Sequence, residues 1–121
     1  MNYLIAAIIG LVGGVASGLF GVGGGVVMVP SMLWLMKDSI TTTHQAIGTS
    51  LVVIVPTALV GAWKHNSLNN IQWPAAAMLI PMALVGGWLG ARLTAEFSSA
   101  GLKRAFGGFL ILVGARLLFF K

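Results

Sequence analysis

The chain has 121 residues, 58% of them apolar and only 7% charged, with a net charge of +5 and no cysteine. That composition fits an integral membrane protein and excludes a disulfide scaffold, thiol catalysis and thiolate metal sites. The seven Lys and Arg residues are spread among the ends of apolar segments rather than gathered on one face, so they read as bilayer anchors and orientation signals, not as a nucleic-acid interface.

Met1-Asn2-Tyr3 lacks a basic stretch, and no cleaved leader is expected. The first apolar block, residues 3–36, is too long for one span, since at 1.5 Å per residue a single helix would reach about 50 Å. It must break, and Gly21-Val22-Gly23-Gly24-Gly25 marks the place. Two helical pieces are expected, 3–19 and 24–36, forming either a re-entrant hairpin or two short crossings. Ala6, Gly10, Gly14 and Gly18 lie four apart, as do Gly13, Ser17 and Gly21, giving the first piece two ridges of small residues suited to close helix contact. Met28, Met32 and Met36 follow at helical spacing and read as packing residues.

Three further transmembrane helices are expected at 45–63, 73–93 and 102–120, so that residues 1–121 form a single membrane module. Trp34, Trp63, Trp73 and Trp88 sit near span ends, as an aromatic belt requires. Gly86 and Gly90, beside Gly87 and Ala91, repeat the small-residue device. Pro30, Pro56 and Pro81 fall inside apolar blocks, where each removes a helical donor and frees the carbonyl four residues earlier, on Val26, Val52 and Ala77. Pro74 stands where a helix starts and suits a first turn. A hairpin gives three crossings and two spans give five; both counts are odd. The N-terminus, Lys37, Arg92, Lys103 and Arg104 then share one side, and Lys64, Arg116 and Lys121 the other. This near balance of cations allows insertion in both orientations.

Chemistry is sparse outside the glycine run. Asp38 and Glu96 are the only side-chain carboxylates, and neither has a serine and a histidine arranged around it, so no enzyme is expected. His44 and His65 lack acidic neighbours, which argues against a metal site, and no cofactor is expected. The run itself fails the dinucleotide pattern, because Val26 stands where a glycine is needed, and fails the phosphate-binding loop, because no Lys-Ser or Lys-Thr follows. Consecutive glycines ahead of a helix nevertheless expose backbone N–H groups at its positive end, which attracts anions. Broken helices of transporters use that arrangement at mid-membrane.

The order Gly18-Leu19-Phe20-Gly21-Val22-Gly23-Gly24-Gly25, then Val29-Pro30, then His44-Gln45-Ala46-Ile47-Gly48-Thr49-Ser50-Leu51, resembles the TauE/SafE family of sulfite and organosulfonate transporters. The similarity continues through His65, residues 69–73 and 86–91, and 103–114. The resemblance implies an all-α fold with a broken first hairpin plus three long transmembrane helices, one half of an inverted-repeat transporter. It implies passage of small anions such as sulfite, sulfonates or related carboxylates across a bacterial cytoplasmic (inner) membrane. Family members typically carry two such modules, so an odd module implies an inverted twin, here an antiparallel homodimer, with a separately encoded partner as the alternative. The substrate would meet backbone donors of Gly21, Gly23, Gly24 and Gly25 and the hydroxyls of Thr49, Ser50 and Ser17. For Thr49 and Ser50 the competing reading is back-bonding within their own helix. Ser17 also reads as a packing residue, Asn66 and Asn69 as loop caps, and Lys64 and His65 as a mouth or a solvated belt. An anion channel and a non-transporting assembly subunit are the other functions this sequence permits.

Overall fold

The computed structural model describes residues 2–120; Met1 and Lys121, the latter counted above among the anchoring cations, lie outside the described residues. Among the described residues every regular element is helical: α1 (Tyr3–Phe20), α2 (Gly25–Leu35), α3 (Thr43–Ser67), α4 (Trp73–Leu93) and α5 (Ser99–Phe119), with one 3-10 turn, Thr94–Glu96, between the last two. The all-α expectation is met. By length and apolar character α1, α3 and α4 with its 3-10 extension suffice to cross a bilayer, and α2 is a shorter apolar helix. α5 has 21 residues, but Lys103, Arg104 and Arg116 fall within it.

The first block breaks at the glycines, and unevenly. α1, with 18 residues, reaches about 27 Å, a spanning length, whereas the 11 residues of α2 reach only about 16 Å. The two lie antiparallel. Gly24 abuts Gly13, midway along α1, while Ile5 and Met36 pack on the same apolar cluster near the other end. α2 therefore starts beside the middle of α1, and residues 21–24 fold back from the end of α1 to reach that depth. α3 closes the packet against both. The buried cluster is small, consisting of Ile9, Met28, Val29, Met32 and Ala46.

Helix starts follow their caps more closely than hydropathy. Asn2 accepts from the N–H groups of Leu4 and Ile5 at 3.0 and 3.3 Å and so opens α1. Thr42 and Gln45 form a reciprocal capping box, which starts α3 at Thr43 rather than at 45. Ser98 accepts from the N–H of Gly101 at 3.0 Å and starts α5 at Ser99 rather than at 102. All three interior prolines are carried within continuous helices. Beside the carbonyl that Pro56 frees, Thr57 donates to Val53 O at 2.8 Å.

Cross-element hydrogen bonds define two ends of the packet. At one end Thr43 N donates to Ser99 Oγ at 2.8 Å, Thr43 Oγ1 donates to Ser99 O at 2.9 Å, and His44 Nε2 lies 2.8 Å from Thr94 O. At the other, His65 Nε2 lies 2.9 Å from Gly18 O and Trp73 Nε1 donates to Asn66 Oδ1 at 3.2 Å. Lys37, Arg92, Lys103 and Arg104 belong to the first end, Lys64 and Arg116 to the second. Arg92 lies over Trp88, and Arg116 over Phe120. No residue of α4 or of α5 is buried.

Candidate functional site

The site begins with what the glycines permit. Gly21, Gly23 and Gly24 have φ of 67°, 76° and 80°, a left-handed region that costs other L-residues roughly 1–2 kcal/mol each. Gly21 ends α1, donating its N–H to Ser17 O at 2.9 Å. Gly24 is the N-cap of α2, and its carbonyl accepts from Val27 and Met28 at 3.1 and 2.8 Å. A Cβ on Gly24 would lie 2.6 Å from Gly13 O. The depth at which α2 starts thus depends on a missing side chain.

No side chain caps α2, and among the described residues the N–H groups of Gly25 and Val26 reach no acceptor. These donors, with the positive end of the helix dipole, lie beside the middle of α1 and α3. Ser50 faces them: its Oγ would be 3.8 Å from a Cβ on Gly25. It is only 3% exposed, and its hydroxyl donates to Ile47 O at 2.8 Å, the back-bonding within its own helix that is the competing reading. Ile54, one turn along α3, packs against the Cα side of Gly23 and Gly25. Thr49 is exposed on another face of α3, so the Thr49-Ser50 pair is split, with only Ser50 at the break.

The remaining predicted residues meet elsewhere. Ser17, Gly21 and Gly23 line a cavity of about 240 Å³ with Gly61, Ala62 and His65 of α3. Its depth is set by the turn of residues 21–24, and its far wall by the C-terminal half of α3. The Gly18 carbonyl, an orphan at the end of α1, can only accept, so His65 carries its ring proton on Nε2. Its Nδ1 then accepts from the Asn70 amide, 3.2 Å away. Asn69, with φ 57°, and Asn66, bonded to Trp73, shape the α3–α4 turn. A second, mostly apolar groove of about 550 Å³ runs along the Gly10, Gly14 and Gly18 ridge toward Pro56, Gly61 and Lys64.

Ile54 and Gly61 had no mark in the sequence. Ile54 is an ordinary member of an apolar run, and its role at the break emerges only from the crossing of α2 and α3. His65 was visible, but its contact with Gly18 depends on a tertiary fold-back that spacing does not reveal.

Comparison with known proteins gives one family and several relatives of one kind. The family model described as Sulfite exporter TauE/SafE matches residues 5–121. The chain is 32% identical to the Probable membrane transporter protein YunE of Bacillus subtilis, across 98% of this chain and 45% of that protein. It is 37% identical to a probable membrane transporter protein of Haemophilus influenzae across 63% of this chain and 30% of that one, and 32% identical to one of Methanocaldococcus jannaschii across 86% and 40%. The chain spans less than half the length of each of these relatives. No solved structure matches it.

Proposed function

Because the chain belongs to the sulfite exporter TauE/SafE family, we propose that residues 1–121 act as one module of a carrier moving small anions, such as sulfite, sulfonates or related organic anions, across a bacterial cytoplasmic membrane. The observation that carries this reading is the uncapped start of α2, which presents two unpaired N–H groups at mid-depth beside Ser50. Neutral donors of this kind replace hydration without a fixed cation, so an anion is held and still released. In this reading Gly23, Gly24 and Gly25 shape the binding turn, and Ser50 lines it from α3.

The second part of the proposal concerns assembly. α4 and the Thr49 face of α3 are uncovered, and the relatives are more than twice as long as the matched stretch. An inverted second copy, giving an antiparallel homodimer, would cover these faces and bring Thr49 toward a shared pathway. The near balance of cations at the two ends supports insertion both ways.

The test is uptake of a panel of labelled anions into proteoliposomes with and without a proton gradient. Saturable uptake of small oxyanions is expected. Flux that rises without saturation would replace the carrier with a channel, and silent vesicles with normal assembly would leave an assembly subunit. For the hydroxyl, Thr49→Ala combined with Ser50→Ala is expected to raise the half-saturating concentration; unchanged flux and concentration dependence would remove both residues from the site.

A further inference from the structure

The cavity at the end of α1 holds a polar group that the fold leaves unused. Ser17 is 8% exposed and lines this cavity, yet its hydroxyl makes no hydrogen bond to any described residue. A buried hydroxyl without a partner costs about 1–3 kcal/mol unless water or a ligand meets it. Ser17 is not among fully enclosed unsatisfied groups, so its oxygen faces the open space. In the same wall, Gly23 carries an N–H group that reaches no acceptor among the described residues. The cavity therefore has surplus donors and no anionic wall.

Its size is also suggestive. At about 30 Å³ per water, 240 Å³ admits roughly eight waters, or a small oxyanion with part of its hydration shell. His65 closes one side. Its Nε2–H is held by Gly18 O, which leaves Nδ1 as the ring atom that can gain a proton, with the Asn70 amide turning its oxygen to accept it. The charged groups around it are few. Lys64 precedes it on α3, the facing part of α1 supplies only the Gly18 carbonyl, and the α3–α4 turn supplies Asn66 and Asn70. Asp38 and Glu96 stand at the opposite end of the packet. Among the described residues a proton on His65 thus has no carboxylate to pair with, and an anion in the cavity is the partner in reach.

We infer that the cavity between the end of α1 and the C-terminal half of α3 is a station for a small oxyanion, in which Ser17 donates a hydrogen bond and protonated His65 balances the charge. The inference rests on the transport reading and adds to it a second binding place, nearer the Lys64 end than the start of α2. It also gives the module a means of coupling anion and proton: His65 takes up one proton as one anion enters, so that the pair moves without net charge.

The probe is labelled methanesulfonate, whose own charge stays fixed between about pH 5 and 8, the interval in which imidazole changes charge. Binding to the purified full chain in detergent and uptake into proteoliposomes are measured in parallel. Wild type is expected to bind about tenfold more tightly at the acid end, the scale of one nearby opposite charge. His65→Gln keeps an N–H for Gly18 O but cannot titrate, and its affinity is expected to be flat with pH. Ser17→Ala is expected to weaken binding about tenfold at every pH. Gly61→Val, where an added Cβ meets nothing within 4 Å, narrows the cavity and is expected to weaken binding there; its gel-filtration profile checks folding. If methanesulfonate binds and all three variants match wild type, the station is wrong and the transport reading stands. If wild type neither binds it nor carries any anion of the panel, both fall.

Discussion

At the scale of single residues the glycines divide by what surrounds them. Gly24 combines a left-handed φ with backbone 2.6 Å from where a Cβ would sit, and neither can yield. Gly24→Ala is expected to cost at least about 2 kcal/mol, from backbone strain and overpacking together. Gly13→Ala meets Met28 side-chain atoms at 2.7 Å, and a flexible methionine gives way more cheaply, so a loss of about 1 kcal/mol is expected. Gly14→Ala meets nothing within 4 Å and should be neutral to within about 0.5 kcal/mol. Thermal unfolding of detergent-solubilised variants ranks the three. The sequence marked the glycine run as a break because no uninterrupted helix of that length fits a bilayer. It could not rank Gly13 above Gly14, since the difference is made by Met28, fifteen residues away. Ser17 and His65 were similarly visible as residue types and invisible as neighbours.

At the scale of elements, helix existence followed from apolar length and helix ends from polar caps. The start of α3 moved from 45 to Thr43 because Thr42 and Gln45 satisfy each other's backbone donors, a Thr-x-x-Gln pattern that the hydropathy of the block conceals. α2 being seven residues shorter than α1 was legible only as an ambiguity between a hairpin and two spans. Its short reach is set by where residues 21–24 turn inward, a matter of contact with Gly13 and Ile54. Thr43, 1% exposed and bonded twice to Ser99, is the joint that fixes α5 to α3. Thr43→Val keeps shape but loses the hydroxyl and with it the contacts to Ser99 O and Ser99 Oγ, and is expected to destabilise by about 1–3 kcal/mol. Thr42→Ala removes only a cap, at about 1 kcal/mol. Equal losses for the two variants would mean that the Thr43–Ser99 joint carries nothing beyond helix initiation.

At the scale of the whole molecule the packet is too thin to enclose a pathway alone. Five apolar residues are buried among those described, and α4 stands with its apolar surface open on all sides. Lipid can cover such surface, but lipid cannot line a route for an anion, because hydrocarbon offers charge no hydration. The proposed pathway at Gly23 to Gly25 therefore needs a second protein wall, and the direction of that wall is what remains to be measured. A parallel partner would place two α2 starts facing the same side; an inverted one would place them head to head about the midplane, with both ends of the transporter alike. The chain contains no cysteine, so one introduced at exposed Ser67, just beyond Lys64 and His65, reports orientation without background. For an antiparallel dimer, an impermeant maleimide applied to intact cells is expected to label about half of the Ser67→Cys molecules, the rest becoming reactive only on permeabilisation. Labelling of all molecules from a single side would rule out an inverted second copy of this chain and leave the opposite wall to a different polypeptide segment, oriented the other way by its own charges.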